Sequence, residues 1–180
     1  MPARRSPYVS AVFIARLALL TACASLPLTS LAGGSITVSK QAPYAQKLSV
    51  PDAVRAECNL PGRVSEFVKD SANKRYDKVV LADAVSAKTA GQALALKITG
   101  MSGAGGGAWT GPKHVTVEGT LWENGKVKGT FTATRYSGGG AFGGYKGTCA
   151  ILGRCVKEIG NDVGKWLGAP SMNARLGDAK

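Results

Sequence analysis

The stretch GGGAWTGPK at residues 105–113 returns as GGGAFGGYK at 138–146. Each copy supplies three residue types that together could bind a ligand. Backbone N–H groups of consecutive glycines form anion-binding nests, an aromatic ring offers a stacking surface, and a lysine adds charge. The candidate ligand-binding residues are therefore Gly105, Gly106, Gly107, Trp109 and Lys113 in the first copy, with Gly138, Gly139, Gly140, Phe142 and Lys146 in the second. An anionic molecule or a glycan suits such a pair. The competing reading is that glycine only gives slack to two loops. Neither copy is a P-loop, because Tyr145 separates Gly144 from Lys146 and Gly147 precedes Thr148.

Other reactive residues do not assemble into a catalytic pattern. Glu118 and Glu123 are five apart, on opposite faces of one strand, so they cannot act as an acid–base pair. His114 is the sole histidine and is read as a surface residue at the start of a strand. No catalytic residue and no cofactor is expected. Cysteine spacing is not C-x-x-C, which with a single histidine gives no metal site.

The elements that must hold the glycine stretches can be read from periodicity. SITVS (35–39) and DKVVLAD (77–83) read as short strands, and QALALKITG (92–100) alternates Leu94, Leu96 and Ile98. Leu60, Val64, Phe67, Val68 and Ser71 fall on one helical face, with Pro61 in the first turn. KHVTVEGTLWENGKVKGTFTATR is a hairpin around Asn124-Gly125. Burial favours a three-residue loop, Glu123-Asn124-Gly125, pairing Leu121 with Val127 and Val117 with Phe131. The other side carries Thr116, Thr120, Thr130, Thr132 and Thr134, read as a solvated face, with a flat binding plane as the alternative. Cys149, Leu152, Val156, Ile159, Val163, Trp166 and Leu167 recur at three and four, an amphipathic helix stopped by Gly168 and Pro170. The fold class is α+β: a two-layer sandwich of a mainly antiparallel sheet, a β-meander, with two helices on one face. In a meander both glycine loops leave the same end of the sheet, and Trp109 and Phe142 fall within about 15 Å, some three strand spacings.

The first 32 residues read as an export leader: Arg4, Arg5 and Arg16 with no acid, an apolar run, then Ser30-Leu31-Ala32. Cleavage there leaves a single α+β domain at 33–170 and a flexible tail at 171–180. Leu20-Thr21-Ala22-Cys23 is an alternative lipobox that would lipidate Cys23, but Arg16 leaves a short apolar run before it. The leader holds three of the 23 basic residues and none of the 11 acidic ones, so the mature chain carries +9. No mature stretch approaches the roughly 20 apolar residues of a membrane span. An exported basic protein is expected to meet an anionic envelope component or another envelope protein rather than nucleic acid.

Cys58, Cys149 and Cys155 survive cleavage. Cys149 and Cys155 lie six apart in one helix, about 9 Å along its axis, beyond the ~7 Å limit for a bridge. Cys58 and Cys149 each sit at a helix start, and they can pair if the helices run parallel. That bridge would close a loop of about 90 residues and contribute roughly 4–5 kcal/mol in a chain-entropy model. Cys155 is then a half-buried thiol.

The order of elements, the cysteine ahead of the first helix and the terminal helix running from GTC to W-L resemble small uncharacterised exported proteins and lipoproteins of Proteobacteria. The resemblance implies export and names no activity. The function read from these features is a non-enzymatic, exported envelope protein, periplasmic or secreted, that binds a ligand or a protein through the paired glycine loops. The alternatives are a small hydrolase or transferase with the glycine rim as an anion site, and an outer-membrane lipoprotein serving assembly or secretion. Intact mass of the exported protein tests the processing: an N-terminus at Gly33 with no acyl chain is expected, and a diacylglycerol adduct on Cys23 would refute it.

Overall fold

The computed structural model describes residues 34–103, 111–138 and 145–179. In chain order the elements are β1 Ser35–Ser39, α1 Asp52–Glu57, α2 Leu60–Ala72, β2 Lys78–Ala82, β3 Gln92–Ser102, β4 Lys113–Glu123, β5 Lys126–Ser137, α3 Thr148–Trp166 and β6 Ala174–Gly177. Six strands form one sheet in the order β2-β1-β3-β4-β5-β6.

The protein is α+β, but its sheet is mixed rather than mainly antiparallel. β1 runs parallel to β2 and to β3, and β6 runs parallel to β5. Only the β3–β4 and β4–β5 pairs are antiparallel, so β4 alone runs against the rest. The reason is connectivity. The helices α1 and α2 lie between β1 and β2, and α3 lies between β5 and β6, and a strand–helix–strand return brings the chain back parallel. The segment 171–180, expected to be a flexible tail, contains β6. Its Leu176 and Ala174 pack against the core, and Asp178 N–H donates to the Thr134 carbonyl at 2.8 Å.

The central hairpin corrects the expected register. Its loop has two residues: Glu123 pairs with Lys126, and Asn124 (φ 50°) and Gly125 (φ 81°) both take the left-handed conformation that matches strand twist. The extra residue that burial requires is placed in a β-bulge at Lys128 instead of in the loop. Beyond the bulge Leu121 pairs with Gly129, Gly119 with Phe131 and Val117 with Ala133, all on the core face. Before it, Val127 pairs with Trp122 and is 49% exposed rather than buried. The Phe131 ring occupies the space where a side chain on Gly119 would stand, and meets Trp166 edge-on at 4.9 Å.

A second departure from regular pairing follows β1. After three β1–β3 pairs the chain leaves the ladder, and it returns where Tyr44 bridges Ile98. In the gap the buried Leu96 N–H donates to Ser39 Oγ at 3.1 Å. A side-chain oxygen thus replaces the missing ladder acceptor.

The helices α2 and α3 lie side by side on one face of the sheet. Leu60, Val64, Val68 and Ala72 of α2 and Leu152, Val156, Ile159 and Val163 of α3 are fully buried there with Ile36, Val38, Leu94, Ile98, Val115 and Val117. The two helices meet through small residues. A Cβ on Gly160 would lie 2.7 Å from Phe67 Cβ and 2.8 Å from the Phe67 backbone. At Gly153 the obstacle is only the guanidinium of Arg63. Two substitutions separate these cases. Gly160→Ala forces backbone apart and is expected to lower stability by about 1–3 kcal/mol despite better helix propensity. Gly153→Ala displaces the end of a flexible side chain, and the lost Arg63 hydrogen bond to the Cys149 carbonyl offsets the gain in helix propensity, so it should lie within about 1 kcal/mol of neutral. Urea unfolding midpoints check both, and equal losses would contradict the packing described.

Candidate functional site

The bases of the two glycine loops stand on neighbouring strands at one end of the sheet. Ser102 pairs with His114, and Lys113 pairs with Ser137. Of the ten candidate residues, Lys113, Gly138 and Lys146 are described. Gly105, Gly106, Gly107, Trp109, Gly139, Gly140 and Phe142 lie outside the described residues, and so does the separation expected between Trp109 and Phe142. Lys113 is 1% exposed and shares the core-facing parity of Val115 and Val117. Lys146 is half-buried, just ahead of α3. The N-cap of α3 is Gly147, extended and without a side chain to cap the helix.

The disulfide lies at the N-terminal end of the helical layer. Cys58, between α1 and α2, bridges Cys149 in the first turn of α3, with Cα atoms 4.9 Å apart. This is the expected pairing. Asn59 turns the chain from α1 into α2 with φ 42°, a conformation asparagine tolerates well. Arg63 Nη1 donates to the Cys149 carbonyl at 3.2 Å, which also holds the start of α3 against α2. Cys155 is fully buried rather than half-buried, with its Sγ 3.7 Å from the Lys113 carbonyl oxygen. Burial pushes its thiol up to about 11, so the reactive thiolate is scarce.

The open face of the sheet carries the threonines in cross-strand rows. Thr116 Oγ1 and Thr134 Oγ1 are 2.9 Å apart. The next row runs Lys97, Glu118, Thr132 and Arg175 across β3 to β6. Glu118, Thr120, Thr130, Thr132, Asn173 and Arg175 line a groove of about 430 Å³. Asn173 and Arg175 were missed because the short ARLG strand has too little alternation to be read from the sequence. At the loop end of this face, the His114 ring lies 5.1 Å from that of Tyr136, and Tyr136 is 58% exposed. No side chain among the described residues hydrogen-bonds His114.

Glu118 and Glu123 do lie on opposite faces. Glu123 belongs with Gln92 and Tyr76 at the end of the core away from the loops. Tyr76 hydroxyl donates to Gln92 Oε1 at 2.7 Å, and Gln92 Nε2 donates to Glu123 Oε1 at 3.0 Å. Lys128 Nζ completes the chain at 3.1 Å from Glu123 Oε2. Hydrogen bonds from Lys128 and Gln92 hold the Glu123 carboxyl below its ordinary range.

No protein-family model matches the chain, and no curated protein matches it. Solved structures that align with it include a PelC dodecamer from Paraburkholderia phytofirmans, at 17% identity and a TM-score of 0.46 over 72% of this chain and 87% of that chain. A DUF330 protein from Xanthomonas campestris aligns at 12% identity and a TM-score of 0.43, over 79% of this chain and 87% of that one. Likenesses at this level carry no inference about function. No helix among the described residues is long and apolar enough to cross a membrane.

His114 offers a direct readout of the loop end. Burial lowers its pKa from the ordinary 6.5. A lowered folded-state value means the unfolded chain binds the proton first, so stability falls as pH drops from 6.5 towards the folded value and levels off below it. As the chain has one histidine, a single imidazole signal should titrate below 6.5 by NMR. His114→Gln should remove the loss of stability that sets in as pH drops below about 6.5. A midpoint at or above 6.5 would mean that the ring is solvated.

Proposed function

We propose that this chain is an exported, non-catalytic binding domain of the cell envelope whose contact surface is the loop end of its sheet. The observation that carries the reading is the register: Ser102 with His114, and Lys113 with Ser137, put the bases of both glycine stretches on adjacent strands. Two copies of one composition so placed can act on one ligand. Export is supported by the basic, apolar leader and by the Cys58–Cys149 bridge, since disulfides persist in oxidising compartments. The surplus of basic residues suits an anionic envelope component or an acidic protein surface.

The hydrolase or transferase reading gains little from the geometry. Its best base is His114, which stands at the right end but lies tilted against Tyr136 and has no hydrogen-bonding side chain among the described residues to orient it. Glu118 is four residues further along the same strand, about 13 Å away.

Photo-crosslinking in living cells tests the proposal without presuming the ligand. A photoreactive amino acid at position 109 or 142 should give a discrete envelope adduct, while one at Lys69, on the exposed side of α2, should not. Equal labelling from all three positions, or adducts from position 69 alone, would overturn the assignment of this end as the contact surface.

A further inference from the structure

The two edges of the sheet are finished differently. β6 is four residues long and is tied at both ends. Asn173 N–H donates to Thr130 Oγ1 at 2.8 Å, and Asp178 accepts from Tyr136 N–H at 3.1 Å and from Arg135 Nη1 at 3.4 Å. The opposite edge, β2, has the sequence KVVLA, with no proline, no glycine and no bulge in its register with β1. Its order in the sheet leaves it with no neighbour on its outer side among the described residues. Edges of this kind pair readily with another strand unless they are blunted.

The bonding to β1 fixes which groups face outward. Lys78 N–H donates to the Gly34 carbonyl at 3.4 Å, and the Ala82 carbonyl accepts from Lys40 N–H at 2.8 Å. Strand alternation then aims the backbone groups of Lys78, Val80 and Ala82 at β1 and those of Val79 and Leu81 away from the sheet. The side chains alternate as well. Val79 and Leu81 register with Ile36 and Val38 on the core face, while Val80 lies on the open face, 40% exposed.

We propose that β2 pairs with β2 of a second copy of this chain, antiparallel about a two-fold axis through Val80. Val79 then meets Leu81 of the second copy, and Leu81 meets its Val79, each as a hydrogen-bonded pair exchanging two bonds. Val80 meets Val80 as the intervening non-hydrogen-bonded pair, with Cα atoms about 4.5 Å apart. Outward-facing groups on both sides of one exposed valine are what an isologous contact requires. The core faces of the two sheets stay on the same side, so the Val79–Leu81 pairs continue the apolar layer. A slip of one residue would lose both matches.

Charge points to a second copy rather than to an acidic segment of another protein. Lys40 and Lys78 balance Asp77 and Asp83 at this edge, whereas the chain without its leader carries +9. Asp83 comes opposite Asp77 of the other copy, a like-charge contact that is offset by the ion pair Asp83 makes with Lys40 at 3.5 Å. The edge is therefore neutral where two such chains would otherwise repel.

Sedimentation of the exported protein should show a reversible, concentration-dependent dimer. Val80→Lys, on an exposed position that leaves the β1–β2 bonds intact, should weaken it at least tenfold without changing the unfolding midpoint at concentrations where both proteins are monomeric. Val80→Cys should give a reducible covalent dimer under mild oxidation. A monomer up to millimolar concentration, an assembly indifferent to Val80→Lys, or Val80→Cys that stays monomeric on oxidation would each overturn the proposal.

Discussion

The contact between α2 and α3 constrains most of the structure. Along and just beyond α2, Arg63, Phe67, Ser71 and Arg75 form a ridge at a spacing of four residues. They face Gly153, Gly160, Gly164 and Gly168 in the same order along and just beyond α3, so the helices run parallel. Each glycine in a helix interior costs about 1 kcal/mol of propensity. The close approach that their missing side chains permit is what offsets that cost. Arg75 Nε donates to the Gly164 carbonyl at 2.6 Å, and Ser71 Oγ reaches Asn161 Oδ1 at 3.4 Å, so the ridge is also hydrogen-bonded into the groove.

Parallel helices dictate the rest of the topology. A helix returning across a sheet runs against the strand before it, so α2 after β1 and α3 after β5 can be parallel only if β1 and β5 share a direction. They do, and β6 completes the second return as β2 completes the first. The same geometry brings the starts of the helices together, where the Cys58–Cys149 bridge joins residues 91 apart in sequence. The glycine loops leave from the strand ends Ser102, Lys113 and Ser137. The far end of the core is closed by hydrogen bonds from Tyr76 through Gln92 and Glu123 to Lys128.

What could be read from the sequence was whatever strict periodicity and covalent geometry express. Leu60, Val64 and Val68, or Leu152, Val156 and Ile159, repeat at helical spacing because each must reach the core, and they do. Helical rise excluded a Cys149–Cys155 bridge, and the choice of Cys149 over Cys155 as the partner of Cys58 rested on parallel helices, which the structure has. The sheet was less legible for identifiable reasons. The ARLG strand is half-exposed and too short to alternate convincingly, so the second parallel return went unseen. The hairpin register depended on where one extra residue goes, and the sequence does not distinguish a longer loop from a bulge at Lys128. The glycines of α3 signalled nothing individually, because close approach is a property of two helices and not of one. At the candidate site, Lys113 was assigned to the rim from its place in the repeat, while its strand parity put it on the core face.

The open face of the sheet illustrates how far composition can carry a functional reading. Thr116, Thr120, Thr130, Thr132 and Thr134 are β-branched, so they favour strands, and they are polar, so they suit a face with no second layer over it. Folding alone explains them. Glycine has the opposite standing: it weakens a strand, adds chain entropy to a loop and buries nothing. A fold that repeats GGGA, an aromatic and a lysine gains no stability from the repetition. Where a residue pattern serves the fold it needs no further reason, and where it opposes the fold another reason is required. The threonine face, with its groove of about 430 Å³, is thus explained by the fold, whereas the repeated glycine stretches are not, and it is on them that the proposed contact surface rests.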